Sequence, residues 1–306
     1  MKEKDYLYKN YLNIARNLQI EDKPLKALKF YKKAYYLNIN NNDTDLIMEI
    51  ALLYDEIGLP KEAERKYLEV LSIDENYARA YYGLAILYDE MGDLYKAKEF
   101  YEKAIEKEPN YDKAYFFLAN IYDELNKKQE AIKNYKNVIR INPYDLWAYA
   151  NIACILEELN EDEEALVYID KALKVDNKNY KILFNKGVIL NKLNYKEESK
   201  KYYKKSIDEN TNYPYSYLNL AVIYKEEHKF NEAISIITEG IINNENVGFL
   251  YYNRGCFYAE IGEKLKAFED IERSIELDEF FLEYMKKDVE LDSIRDLNEY
   301  IYKYKE

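Results

Sequence analysis

Carboxylates come in pairs in this chain, and the pairs keep a beat: Asp55-Glu56, Asp89-Glu90, Asp123-Glu124 and Glu157-Glu158 lie thirty-four residues apart. Like charges brought together by a repeating structure repel unless a cation neutralises them, so such a ladder is suited to a Lys- or Arg-rich ligand. The same residues also make an ordinary solvated helix end in an acidic protein. A second series is amidic, with Asn151, Asn185, Asn219 and Asn253 at the same interval. Asparagine is a middling helix former, so helix propensity does not account for the series. Its amide has one acceptor and two donors, which suits paired bonds to a peptide backbone of any sequence. The competing explanation is compositional, because the whole chain is rich in Asn, Lys, Ile and Tyr. A third series is aromatic: Tyr82, Phe116, Phe184 and Tyr252, with Phe117, Trp147, Tyr215 and Phe249 close by. Rings in such places anchor apolar groups or stack on cations. With 36 tyrosines in the chain, many rings must also be plain packing residues.

Catalytic chemistry has no comparable constellation. The only histidine, His228, falls in a turn between two predicted helices, where an exposed turn residue is expected rather than a general base. No phosphate-cradling glycine loop and no H-E-x-x-H helix is present. One histidine and two distant cysteines do not assemble the usual four-ligand zinc site. The expectation is a protein that is not an enzyme and carries no cofactor or metal.

The elements that would position the three series announce themselves through small residues. Ala63, Ala97, Ala131, Ala165, Ser199, Ala233 and Ala267 follow one another at thirty-four-residue steps, with Ala27 one slightly longer step upstream. Twelve positions earlier run Ala15, Ala51, Ala85, Ala119, Ala153, Gly187, Ala221 and Gly255. Small residues are required where helix backbones approach closely. A repeat of this length is one supersecondary unit that gains a core only by stacking on its neighbours. Around each pair the pattern is helical: Tyr81, Leu84, Ala85 and Tyr88 share one face, Met91-Gly92-Asp93 turns, and Ala97, Phe100, Tyr101 and Ala104 share the next. Pro109 then disfavours helix at the residue ahead of it. The prediction is an all-α solenoid of antiparallel helix pairs.

Bulk properties agree. The period crosses the middle of the 306 residues without a break, which favours one elongated domain. Gly and Pro are scarce, at 8 and 5, which disfavours a turn-rich β fold. A net charge of -13 argues against nucleic acid or an anionic membrane as the main partner and leaves a basic peptide or protein surface easier to accept. Cys154 and Cys256 stand three repeats apart, too far for a disulfide within one array. With no apolar run behind the charged N-terminus and none of membrane-spanning length, a reduced, cytoplasmic setting is expected.

These residues resemble the tetratricopeptide repeat. The best stretch, 78–111, carries Tyr81, Leu84, Ala85, Tyr88, Ala97, Tyr101, Ala104 and Pro109 at that family's positions 4, 7, 8, 11, 20, 24, 27 and 32. The next, 112–145, matches with Tyr115, Leu118, Ala119, Tyr122, Ala131, Tyr135 and Pro143. Eight repeats can be laid out, starting near 8, 44, 78, 112, 146, 180, 214 and 248, for an array over 1–281. The resemblance implies a right-handed superhelix whose first helices line a concave groove through positions 2, 5, 6, 9, 12 and 13. The acid pairs then sit at positions 12 and 13, the asparagines at 6 and the four aromatics at 5. Some superhelical members of the family hold extended peptides with asparagines at that position, and the resemblance implies the same here. A carboxylate clamp for chaperone tails is not expected: Lys9 and Asn13 fit part of it, but Arg16, Glu49 and Leu52 do not.

Departures are local. Asn40-Asn41-Asn42 marks a two-residue insertion, and repeat six has Ser199 for alanine and Lys186 for an apolar residue, which predicts looser packing there. Past residue 281 the beat stops. A short helix near 281–288 and a final amphipathic one over 291–302 are expected, with residues 282–306 capping the array. The leading functional reading is a scaffold or adaptor that binds an extended, basic peptide in its groove. The alternative is a structural subunit that self-associates through its terminal or outer surfaces.

Overall fold

The computed structural model describes residues 2–37 and 42–304, so Asn40 and Asn41 of the predicted insertion lie outside the described residues. Helices follow one another in pairs: α1 (Lys2–Ile20) and α2 (Pro24–Leu37), α3 (Thr44–Glu56) and α4 (Pro60–Ile73), α5 (Ala78–Glu90) and α6 (Leu94–Lys107), α7 (Asp112–Glu124) and α8 (Lys128–Ile141). The same order continues with α9 (Leu146–Glu158) and α10 (Asp162–Val175), α11 (Tyr180–Lys192) and α12 (Lys196–Glu209), α13 (Pro214–Glu226) and α14 (Phe230–Asn243), α15 (Gly248–Glu260) and α16 (Lys264–Leu277). The fold is an all-α solenoid of tandem helix pairs, with no strand among the described residues. By its internal contacts the chain divides into two compact units, Met1–Tyr144 and Asp145–Glu306. Repeats one to four fall in the first, repeats five to eight in the second.

One device closes all eight helix pairs. The turn residue takes a left-handed backbone at Asp22, Gly58, Gly92, Asn126, Asn160, Asn194, His228 and Gly262. Its N–H bonds three residues back and the next N–H five back, as in Gly92 to the Asp89 carbonyl (2.9 Å) and Asp93 to Tyr88 (2.9 Å). That is the helix-terminating motif which satisfies the last free carbonyls of a first helix. Glycine, asparagine and aspartate adopt this conformation most readily. His228 fills the same role, exposed, at φ 58°. New helices start with side-chain caps where an acid or amide is available: Asp43, Asp93, Asp145 and Asn179 accept bonds from the first turns of α3, α6, α9 and α11.

The small residues sit where the helices touch. Ala63, Ala97, Ala131, Ala165, Ala233 and Ala267 are fully buried, and so are Ala51, Ala85, Ala119, Ala153 and Ala221. At Gly187 a Cβ would stand 2.6 Å from the Tyr203 ring, so the ring occupies the space a side chain would need. The two departures in repeat six are compensated rather than loose. Ser199 is fully buried and its Oγ donates to the Gly187 carbonyl at 2.7 Å. Lys186 reaches Asp170 at 2.6 Å and the Tyr202 hydroxyl at 2.9 Å. In repeat eight Arg254 takes the equivalent place, gripping Asp270 through two bonds of 2.7 and 2.8 Å between the rings of Tyr251 and Tyr258.

The C-terminal segment differs from its prediction. A short helix is present as α17 (Phe280–Met285), but the single helix expected over 291–302 is instead a 3-10 segment, Val289–Ile294, followed by α18 (Asn298–Tyr304). Asp288 caps the 3-10 segment by accepting from the Glu290 N–H at 3.0 Å. Arg295 then ties the chain back, donating to the carbonyls of Met285, Lys286 and Asp288. Tight 3-10 geometry places residues three apart on one side, which buries Leu291 and Ile294 together beside Met285 and Leu250. Among the described residues no helix is long and apolar enough to cross a membrane.

Candidate functional site

In the first unit the acid pairs end α3, α5 and α7, and each pair divides its labour. Asp55, Asp89 and Asp123 are half-buried, while Glu56, Glu90 and Glu124 are exposed. Behind the inner acid, twelve residues later in sequence, stands a buried tyrosine of the second helix: Tyr67, Tyr101 and Tyr135. The Tyr101 hydroxyl lies 3.5 Å from the Asp89 carboxylate. The Tyr67 hydroxyl is buried and turned to Asp55; burial first, and then the charge and hydrogen-bonding of Asp55, hold the phenol in its neutral form. Tyr31 repeats the arrangement in the first repeat, donating to Gln19 at 2.6 Å. In the fourth, Tyr135 donates to Asn120.

Charge behaves across repeats. Desolvation first, and then the charge of Glu90 in the following repeat, push the Asp55 carboxyl above its usual range. Asp89 is raised in the same way, by desolvation and then by Glu124. The repulsion therefore acts between Asp55 and Glu90, and between Asp89 and Glu124, one repeat to the next, with Glu90 of its own pair a smaller cause at Asp89. Asp55, Glu56, Asp89, Glu90 and Glu124 have no ion-pair partner among the described residues, whereas Asp123 is held by Lys128 at 2.7 Å. Towards the N-terminal end the same face opens into a cleft of about 480 Å³ that mixes Arg16 and Arg79 with Asp45 and Glu49.

The second unit has a different chemistry on the corresponding face. Its acid pair, Glu157-Glu158, is already engaged, since Lys192 bridges Glu157 at 2.5 Å. Asn151, Asn185, Asn219 and Asn253 are all half-buried on first helices. The Asn185 amide donates to the Cys154 sulfur at 3.2 Å. Asn219 and Asn253 donate to the carbonyls of Tyr215 and Phe249 in their own helices, at 2.9 and 2.8 Å. Each of these last two amides keeps its oxygen and its second N–H for another partner. Beside Asn185 a narrow cleft of about 160 Å³ is walled by Phe184, Val188 and Ile189.

The aromatic series does two jobs. Tyr82, Phe116, Phe184 and Tyr252 each pack against aromatic neighbours, at 4.9 Å from Tyr111, 5.5 Å from Tyr135, 5.3 Å from Tyr213 and 5.1 Å from Phe281. Tyr252 is buried by the C-terminal segment. Trp147, Tyr215 and Phe249 begin three first helices of the second unit; Trp147 and Tyr215 are exposed, and Tyr215 stacks on the half-buried Phe249 at 5.3 Å. Sequence reasoning took Tyr101 and Tyr135 as packing residues and had no account of their hydroxyls. The twelve-residue spacing from acid to tyrosine was the signal that could have found them. Among the described residues, no three His, Cys, Asp or Glu side chains gather to hold a metal.

Comparison with known proteins matches this architecture. Tetratricopeptide repeat models match residues 78–111 and, in a second form, 112–145, 148–179, 180–213 and 250–281, more than half of the chain. Among solved structures, a tetratricopeptide repeat protein from Parabacteroides merdae ATCC 43184 aligns with a TM-score of 0.61 at 18% identity, over 83% of this chain and 99% of its own. YrrB, described as a TPR protein with an unusual peptide-binding site, aligns at 0.53 and 21% identity, over 61% and 95%. MamA aligns at 0.50 and 27% identity, over 55% and 97%. No curated protein sequence matches the chain significantly.

Proposed function

The chain belongs to the tetratricopeptide repeat family, a family of protein-interaction scaffolds, and from that premise we propose that it binds an extended, basic peptide along the groove lined by its first helices. One observation carries the reading. Burial, and next the charge of the glutamate one repeat on, raise Asp55 (Glu90) and Asp89 (Glu124), and none of these four carboxylates has an ion-pair partner among the described residues. A ligand that brings lysine or arginine side chains relieves that repulsion, and an acidic one aggravates it. Glu56 lies beside these four; Asp123, Glu157 and Glu158 contribute less, because chain contacts already occupy them. In the second unit Asn151, Asn185, Asn219 and Asn253 would hold the peptide backbone, and Tyr82, Phe116 and Phe184 would border its side chains. A peptide-binding site in YrrB, a protein of the same fold, supports a ligand of this kind. The role is that of a non-catalytic, cytoplasmic adaptor, its array capped by residues 282–306.

Fluorescence anisotropy with labelled octalysine and octaglutamate tests the polarity. Octalysine is expected to bind and octaglutamate to be rejected; equal binding of the two would remove the proposal. A second reading, self-association through the tail, draws on Val289 and Tyr302, which are 76% and 91% exposed. Sedimentation of a Val289→Ser, Tyr302→Ser variant decides it: an oligomer that survives both substitutions is not held by this surface.

A further inference from the structure

Where the C-terminal segment folds back on α15, it borders an open cavity of about 400 Å³. Four aromatic rings form a closed circuit on its wall. Tyr252 lies 5.1 Å from Phe281, Phe281 lies 5.9 Å from Phe280, Phe280 lies 6.2 Å from Tyr284, and Tyr284 returns to Tyr252 at 5.4 Å. Stacked and edge-on contacts alternate around the circuit, and all four rings line the space. Two of the rings leave much of their surface open: Phe280 is 67% exposed and Tyr284 is 54% exposed, while Tyr252 is buried at the base.

The charge of the cavity is equally definite. Lys225 lines it but is neutralised by Glu290. Asp288 also lines it, accepting from the Tyr252 hydroxyl at 2.7 Å, and has no ion-pair partner among the described residues. The remaining thiol, Cys256, is buried and held in its neutral form, its pKa pushed up by desolvation and by the Asp288 carboxylate. The wall therefore offers aromatic rings, a net negative charge, and the amide of Asn253 as an additional polar group.

We propose that this cavity is a binding site for a small organic cation, a quaternary ammonium or guanidinium head, seated against the four rings with Asp288 as its counter-charge. Ring faces attract such cations because their quadrupole is negative at the face, and the attraction grows where the cation sheds water. A soft, weakly hydrated head loses little on entering, whereas a small inorganic cation keeps its shell. The site does not depend on the peptide reading, since a free cation fills it whether or not the acidic face of the first unit binds anything.

The test is an amide chemical-shift titration of the full chain with tetramethylammonium and with N-acetylarginine amide, each against sodium chloride at matched ionic strength. Saturable shifts confined to α15, α17 and the 3-10 segment are expected with the organic cations and not with sodium. Phe280→Ala with Tyr284→Ala, both on exposed rings, should weaken binding about tenfold or more with unchanged thermal unfolding. Asp288→Asn keeps a side chain able to cap the 3-10 segment and should weaken it similarly. Saturation by tetramethylammonium alone would assign the site to quaternary ammonium, and by the arginine derivative alone to guanidinium. Shifts identical to those from sodium, or binding indifferent to the two ring substitutions, would overturn the proposal.

Discussion

The two units share one backbone plan and carry different chemistry at equivalent positions of their repeats. At the ends of first helices the first unit carries Asp55-Glu56, Asp89-Glu90 and Asp123-Glu124, whereas after Glu157-Glu158 the second turns to Lys192 and Lys225. At the sixth position of its repeats the second unit places four asparagines, where the first has Asn13, Glu49, Gly83 and Phe117. Buried tyrosines stand behind the inner groups of the first unit; at the matching places the second has Ile169, Ile237 and Ile271, with Tyr203 alone keeping the ring. The lesson is that a solenoid's period fixes where a side chain points and leaves its chemistry free to vary. On the proposed reading, one region meets charge and the other meets a backbone.

The largest expected effect lies in the core beneath the second face. Arg254→Met leaves Asp270 buried without its cation, a loss of about 3–5 kcal/mol. Hydrogen exchange should show lost protection in α15 and α16, with α3 to α6 much less affected. Uniform loss through both units would break the division drawn between them. Next in size, Asn185→Ala with Asn219→Ala should weaken peptide binding by about 1–3 kcal/mol, taking about 0.5–1.5 for each net hydrogen bond. Far-ultraviolet circular dichroism should be unchanged; full affinity in the double variant would remove the amide series from the binding face.

A subtler effect is pH dependence. Asp55 and Asp89 are raised above their unfolded values by burial and by the next repeat's glutamate. The native state therefore holds those protons more tightly than the unfolded chain does, so their contribution to stability falls as pH rises through and above the ordinary carboxylate range. Asp55→Asn with Asp89→Asn should raise the melting temperature near neutral pH and flatten its dependence across that window. An unaltered profile would mean that the repulsion is not felt. The smallest change is His228→Gly, which relieves a left-handed backbone but adds unfolded-state entropy, for a net gain under about 1 kcal/mol. Chemical denaturation measures it, and a loss of stability would show that the imidazole does more than turn the chain.

The fold was legible because its determinants repeat: the alanines at thirty-four-residue steps are the buried contact points, and their period alone implies stacked hairpins. Much less of the candidate site could be read. Paired acids and asparagines were visible as series, but which carboxylates repel, Asp55 with Glu90 rather than with Glu56, depends on how neighbouring repeats stack. Lys186 reads as a departure because its partner, Asp170, sits sixteen residues away on another helix. The C-terminal segment lay beyond any period. Asp288 and Arg295 shape it through side-chain bonds that no pattern announces.

The central claim is that charge is met in the first unit and backbone in the second. Octalysine affinity measured across a series of salt concentrations tests it most directly, in the full chain and in two variants. Exposed charges are screened by salt, so the unaltered protein should lose affinity steeply. The variant Asp55→Asn, Asp89→Asn, Glu90→Gln, Glu124→Gln should bind more weakly with a flattened slope. Asn185→Ala with Asn219→Ala should bind more weakly with the slope intact. Equal slopes in all three proteins would contradict the account.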